Sequence, residues 1–357
     1  MFTGLRDLDG RNHGRHCQQV PAELRNRSKR LHCRAPVDIL PKHMNRSPVQ
    51  PFSLCLGSAC FAVLIFAVLL NSASASERIT VWPDLAPGET DKQLGTALPD
   101  RQTDSPPITR VEHITCPTMK VFPPTAPGNG VAILILPGGG FRYVVPDLEG
   151  SEAALFLNGL GVTVFVLNYR TTDAGPWGAW RRPLQDSQRA IRFIRANADR
   201  WKLDPKKIGL LAFSAGGQVG AIHIGDFGDA YPATDAVDEQ SARPDFAMLI
   251  YPWRLVNDAT DSLMPEIQIS SNSPPTFLVH THDDNSSSLG AVYVYTALKK
   301  NNVPAELHVY QNGGHGYGVR SRPDSDIGTW SDRAGDWLQT RGLGQPAGSG
   351  PIKTGSR

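Results

Sequence analysis

Apolar and polar positions divide this chain into short continuous hydrophobic runs separated by amphipathic stretches. Residues 131–136 (VAILIL) are apolar without a break. A run of that length and β-branched content predicts a strand buried on both faces of a parallel sheet. The pattern recurs at Val162–Leu167 (VTVFVL), Lys207–Phe213 (KIGLLAF), Phe246–Ile250, Thr276–His280 and Ala305–Tyr310. Between these runs, apolar residues return at helical spacing. Glu149–Leu160 aligns Ala153, Phe156, Leu157 and Leu160, and Arg182–Trp201 aligns Ile191, Ile194, Ala198 and Trp201. Ala215–Ile224, Leu289–Lys300 and Trp330–Thr340 are the remaining predicted helices. Strands alternating with helices imply right-handed crossovers. The expected architecture is a single α/β domain over residues 108–342, with a doubly wound, mostly parallel sheet. Ile108–Phe122 alternates loosely ahead of a turn cluster at Pro123–Gly130, so a hairpin is expected to open the domain. Residues 76–107, rich in Pro, Asp and Gly, predict an extended arm on the domain surface. The composition of residues 343–357 predicts a disordered tail.

Charge separates the N-terminal quarter from the rest. Residues 1–50 hold ten Lys/Arg against four Asp/Glu, and residues 51–75 hold no charge. The remaining 26 basic and 30 acidic residues give a mildly acidic body, which argues against nucleic acid as a partner. The basic segment therefore reads as targeting. Phe52–Leu70 is uncharged and apolar, and Ala73-Ser74-Ala75 follows it as a small-x-small cleavage site. We expect translation from Met44, a secretory signal over 44–75, and a basic extension over 1–43 with no folded role. The competing expectation is a membrane anchor through 52–70, since 19 apolar residues just span a bilayer. A lipoprotein anchor at Cys60 fits poorly, because that cysteine lies in the middle of the run. Four of the five cysteines precede the cleavage site, leaving Cys116 without an intramolecular partner.

Four segments carry chemistry, and each follows a predicted strand. Ala212-Phe213-Ser214-Ala215-Gly216-Gly217 sits at a strand-to-helix junction and has the form of a nucleophile elbow. Small residues two before and two after the serine let strand and helix pass closely. Pro137-Gly138-Gly139-Gly140-Phe141 follows the first buried strand. Its glycines can aim backbone N–H groups at an oxyanion, from Gly139 or Gly140 together with Ala215. A phosphate loop fits less well, since neither GxGxxG spacing nor a Gly-Lys-Ser/Thr is present after it. After the strand at Thr276, Asp283 and Asp284 compete as the acid, with Asp284 preferred. Gly313-Gly314-His315-Gly316 frees a loop to bring an imidazole over Ser214. The order Ser214, Asp284, His315 is that of α/β hydrolases. Together these residues form a catalytic triad with an acyl-enzyme, and the chemistry calls for neither a metal nor an organic cofactor. His223 reads as a partly exposed helix residue. Asp147 and Glu149 read as helix-capping groups within reach of the glycine loop. Trp177, Trp180 and Trp253 lie in loops near the active face and are candidates for stacking on sugar rings or for packing.

In combination, PGGGF, DLEG, NYR, LQDSQRAIRFIR, GLLAFSAGG, ARPDFAMLIYP, PPTFLVHTHDD, NNVPAELHVY and GGHGYG resemble bacterial acetylxylan-esterase-like α/β hydrolases, from about Ile108 to Leu338. The resemblance implies carboxylic-ester hydrolysis, with a small ester or an acetylated polysaccharide as substrate. The chain departs from the pattern at Ala212, at Gln218 and over Asn285–Ser288, and Tyr251–Pro274 is short, implying a small cap and an open site. Three other readings compete. His280-Thr281-His282-Asp283-Asp284-Asn285 is one histidine short of a zinc motif. A serine peptidase would share the triad, and a non-catalytic binding module would share the fold.

Overall fold

The computed structural model describes residues 77–124, 127–173, 178–228 and 230–344. All of them belong to one compact unit, Leu69–Arg357. The expected extension 1–43, the signal segment 44–75, Trp177 and the tail beyond Gly344 lie outside the described residues. In chain order the strands of the first half are β1 (Arg78–Thr80), β2 (Leu94–Ala97), β3 (Val111–Ile114), β4 (Thr118–Phe122), β5 (Ala132–Leu136) and β6 (Tyr143–Val144). Then come α1 (Glu152–Gly159), β7 (Thr163–Asn168), α2 (Arg181–Ala196), β8 (Ile208–Phe213) and α3 (Ser214–His223). The remainder comprises β9 (Phe246–Ile250), β10 (Val256–Asn257), β11 (Ser262–Leu263), β12 (Thr276–Thr281), α4 (Leu289–Lys300), β13 (Ala305–Tyr310) and α5 (Trp330–Thr340).

The main sheet runs β1-β4-β7-β5-β8-β9-β12-β13. From β7 to β13 all neighbours are parallel, while β4 runs antiparallel to both β1 and β7. Alternate side chains of each central strand enter opposite cores, which is why these runs are apolar throughout. Leu134 and Leu136 of β5 join Leu210 and Ala212 of β8 on one face, against Ile191 of α2, Val219 of α3 and Val294 of α4. Ile133, Ile135, Leu211 and Phe213 join the other face, with Leu157 of α1 and Trp330 and Leu338 of α5. Each such buried Leu or Ile side chain contributes about 1.5–3 kcal/mol relative to exposure. The helices thus cover both faces of a doubly wound sheet.

Three expectations are corrected. The hairpin across Pro123–Gly130 does not form, because β4 pairs with β7 and β5 lies on the far side of β7. A strand as apolar as β5 is stable only between two neighbours, and it takes a central position between β7 and β8. The segment 77–107 does more than lie on the surface. Its β1 extends the sheet, and the buried Trp82 donates its indole N–H to Asp186 at 2.8 Å. Asp186 in turn accepts from the backbone N–H and guanidinium of Arg170, so the buried carboxylate is paired. Finally, His223 is fully buried, bonded through Nδ1 to Ser187 Oγ and through Nε2 to the Ala242 carbonyl oxygen, both at 2.8 Å. Burial pushes its pKa down to about 4.

Outside the main sheet, β2, β3 and β6 form a small antiparallel sheet beside the glycine loop. Between Tyr251 and Pro274 the only strands are the two-residue pair β10–β11. Among the described residues no helix is long and apolar enough to cross a membrane, and the run 52–70 lies outside them.

Candidate active site

Strands β5, β8, β9, β12 and β13 run in one direction, so their C-terminal ends gather at one edge of the sheet. At the end of β8 the backbone passes from extended Phe213 to Ser214 at φ 51°, and α3 begins there. A left-handed conformation at a non-glycine costs on the order of 1–3 kcal/mol and is the strained geometry of a nucleophile elbow. It persists because the surroundings fix it. The Ser214 carbonyl oxygen accepts the Trp253 N–H at 2.9 Å, and α3 presses on the end of β5. A Cβ at Gly216 would run into the carbonyl oxygens of Leu136 and Pro137. Ala212 meets the space requirement from below, since a Cβ on Gly220 would come within 2.8 Å of its methyl group.

The structure brings Ser214, His315 and Asp284 into one line. Ser214 Oγ lies 2.7 Å from His315 Nε2, and His315 Nδ1 lies 2.6 Å from Asp284 Oδ2. Asp284 is buried, and its other oxygen accepts the Ser286 N–H at 2.8 Å. The neighbouring Asp283 points elsewhere. Its exposed carboxylate accepts the N–H groups of Gly314 at 2.9 Å and Gly313 at 3.2 Å, which hold its pKa down. One aspartate therefore contacts the imidazole and the other fastens the loop that carries it. His280 is buried, with Nδ1 accepting the Thr281 N–H. Among the described residues no His, Cys, Asp and Glu side chains cluster in a way that could hold a metal ion.

The glycine loop after β5 forms the opposite wall. Gly139 takes φ 129°, and any Cβ there would collide with the Tyr143 carbonyl. Gly139 and Gly140 line a cavity of about 330 Å3 with Ser214, His315, Trp253 and Glu149. Ala215 is buried directly after the serine, at the start of α3. Helix starts present free N–H groups and favour negative charge. Gln218 is buried one turn on and donates to the Arg254 carbonyl oxygen. Trp180 and Trp253 both pack partly buried against the core, and Trp253 also lines the cavity.

Residues 122–226 match the family profile described as BD-FAE. A stretch of 221 residues is 31% identical to endo-1,4-beta-xylanase B of Butyrivibrio fibrisolvens, covering 56% of this chain and 34% of that protein. A stretch of 248 residues is 26% identical to an acetylxylan esterase of Xylanibacter ruminicola, covering 63% of this chain and 47% of that protein. The chain thus spans less than half the length of the curated relatives it matches. The crystal structure of an acetyl ester-xyloside bifunctional hydrolase from Caldicellulosiruptor lactoaceticus superposes with a TM-score of 0.59 at 28% identity, covering 75% of this chain and 97% of that one. The chain has the α/β-hydrolase fold.

Two further residues, Glu149 and Tyr251, join the walls of the site. Glu149, expected near the glycine loop, is buried behind it. Its Oε2 accepts the Gly138 N–H at 2.6 Å, and its Oε1 accepts the Tyr251 hydroxyl at 2.9 Å. The same hydroxyl accepts the Gly318 N–H at 2.9 Å, and the Tyr251 ring meets the His315 ring edge-on at 4.9 Å. Burial pushes the Glu149 carboxyl up, while the Tyr251 O–H and Gly138 N–H hold it down. Tyr251 follows β9 with nothing in its local pattern to distinguish it from packing. Asp147 instead accepts the Thr109 N–H at 2.6 Å, tying the chain ahead of β3 to the turn before α1.

Proposed function

We propose that this α/β hydrolase is a serine carboxylesterase that removes short acyl groups, acetyl above all, from a plant polysaccharide such as xylan. The observation that carries the reading is the continuous path from Ser214 Oγ through His315 to the buried Asp284, at 2.7 and 2.6 Å. His315 takes the hydroxyl proton as Ser214 attacks the ester carbonyl. Asp284 holds the imidazole in the tautomer with Nε2 free to accept, and stabilises the imidazolium that forms. The N–H groups of Gly139 or Gly140 and of Ala215 receive the oxyanion. His315 then protonates the leaving alcohol, and a water activated by the same nitrogen releases the acyl group from Ser214. The small cavity suits a short acyl chain. Acetylxylan esterase and xyloside-acting relatives support the substrate class.

Export belongs to the same proposal, through cleavage of the signal at 44–75 ahead of Ser76, since a polymeric substrate lies outside the cell. The mildly acidic body fits neither a nucleic-acid partner nor a charged membrane surface. The test compares release of acetate from acetylated xylan, and of p-nitrophenol from its acetate, butyrate and octanoate, by the wild type and Ser214→Ala. Acetate-selective turnover that Ser214→Ala lowers by roughly 10⁶-fold is expected. Turnover retained in the variant removes Ser214 from the reaction.

A further inference from the structure

Beside the small cavity lies a larger, open cleft of about 790 Å3, and the two share Gly140 and Trp253 as a common wall. The cleft is lined by Glu112 and His113 of β3, by Arg142 and Gly140 of the glycine loop, and by Asp173 beyond β7. These polar side chains approach one another at ion-pair rather than hydrogen-bond distance. His113 Nδ1 is 3.7 Å from Glu112 Oε1, and His113 Nε2 is 3.6 Å from Asp173 Oδ2. Arg142 Nε is 3.8 Å from the other Asp173 oxygen. All three contacts are too long for hydrogen bonds, and His113, Arg142 and Asp173 are more than half exposed, so planar donors and acceptors line the cleft within reach of an added ligand. His113 is also held at φ 56°, a conformation that a non-glycine residue keeps only under local constraint.

We propose that this cleft binds neutral pyranose units of an oligosaccharide adjoining the acylated sugar, an assignment that rests on the esterase reading for the position of the ester. The chemistry of the lining selects the ligand. Two carboxylates, Glu112 and Asp173, and two guanidiniums, Arg142 and Arg254, offset each other in charge beside the imidazole, which disfavours a strongly charged ligand. Planar polar groups of this kind match vicinal hydroxyls, which donate to Glu112 or Asp173 and accept from Arg142 or His113. Trp253 adds the apolar surface that a sugar ring's C–H face meets. Its backbone N–H is bonded to the Ser214 carbonyl oxygen, so a ring seated against it is held at a fixed distance from the nucleophile.

The test uses the double variant Glu112→Gln/Arg142→Ala in the whole chain, with acetylated xylohexaose and p-nitrophenyl acetate as substrates. Xylohexaose is also titrated calorimetrically into Ser214→Ala, with and without the two cleft substitutions. The ratio of kcat/KM for the hexaose to that for p-nitrophenyl acetate is expected to fall at least about tenfold, through KM, with hexaose binding weakened to match. Equal losses on both substrates, or undiminished hexaose binding, overturn the assignment. Wild-type turnover of p-nitrophenyl acetate without any binding of hexaose overturns the cleft and leaves the esterase standing. Hexaose binding that the cleft substitutions abolish, in a protein that cleaves no ester, supports the cleft and overturns the esterase.

Discussion

Replacing Glu149 with glutamine changes one atom and removes one charge, at a point where two walls of the site are joined. The carboxylate is 3% exposed and accepts from two donors on opposite sides of the site, the Gly138 N–H and the Tyr251 O–H. Tyr251 already accepts the Gly318 N–H, so its own proton is directed to Glu149. A protonated Glu149 would leave that donor chain with one hydrogen too many, and the carboxylate is therefore the form that fits. Glutamine offers one acceptor to two donors. Either Gly138 or Tyr251 then loses its partner, at about 1–3 kcal/mol for an unsatisfied buried donor. Stability is expected to fall by that amount. Activity should fall further, because in the proposed mechanism Gly138 fixes the loop that presents Gly139 and Gly140 to the oxyanion. A displacement of about 1 Å in such a group costs roughly 100-fold. We expect Glu149→Gln to lower kcat on p-nitrophenyl acetate about 10- to 100-fold with KM little changed. Tyr251→Phe should cut the same chain, and the double variant should lose less than the two single losses combined, by about 0.5–3 kcal/mol. Wild-type kcat and melting temperature in Glu149→Gln would refute the reasoning, as would strict additivity with Tyr251→Phe.

The aspartate pair separates by role. Asp284→Asn should lower kcat by roughly 10⁴-fold, the scale for losing the tautomer-fixing acid. Asp283→Asn still accepts through one oxygen and should cost far less, and comparable losses would contradict the geometry. His223 supplies a pH dependence of stability. Its folded pKa is depressed to about 4, so below about 6.5 the unfolded chain binds a proton that the folded chain refuses. Its contribution is therefore complete above pH 6.5 and is lost as pH falls toward 4, by about 3 kcal/mol at most. Thermal melts of the wild type and His223→Gln should converge over that window, and parallel curves would show that His223 is not the group responsible.

Much of the fold was legible because parallel strands buried on both faces leave an unbroken apolar signature. Strands β5, β7, β8, β9, β12 and β13 lie within a residue or two of the runs that predict them. Pairing was less legible. Nothing in Thr118–Phe122 says that its neighbour is β7 rather than the next strand in sequence, since that choice is made by β5 needing two neighbours. Burial of single polar groups was illegible for a related reason. His223 is hidden by Ser187 and Ala242, and Trp82 by Asp186, partners that local sequence does not associate with them.

The site shows the same division, and its cause is geometric. Five of the six parallel strands bring residues to one edge, so the residues just past each end meet whatever their separation in sequence: Gly138 after β5, Ser214 after β8, Tyr251 after β9, Asp284 after β12 and His315 after β13. Where the chemistry needs an unusual backbone, the chain announces it with glycine, as it does around Gly139, Ser214 and His315. Where it needs only a side chain at the right strand end, no local signal exists. Tyr251 is such a residue, and so is the choice between Asp283 and Asp284, which alternate in direction at one turn and differ only in what each one faces. A search of this fold for functional groups should therefore begin with position past a strand end and treat motif as secondary. By that rule Tyr251 belongs with the site rather than with the core, and Glu149, bonded to both Tyr251 and Gly138, ties the glycine loop to it.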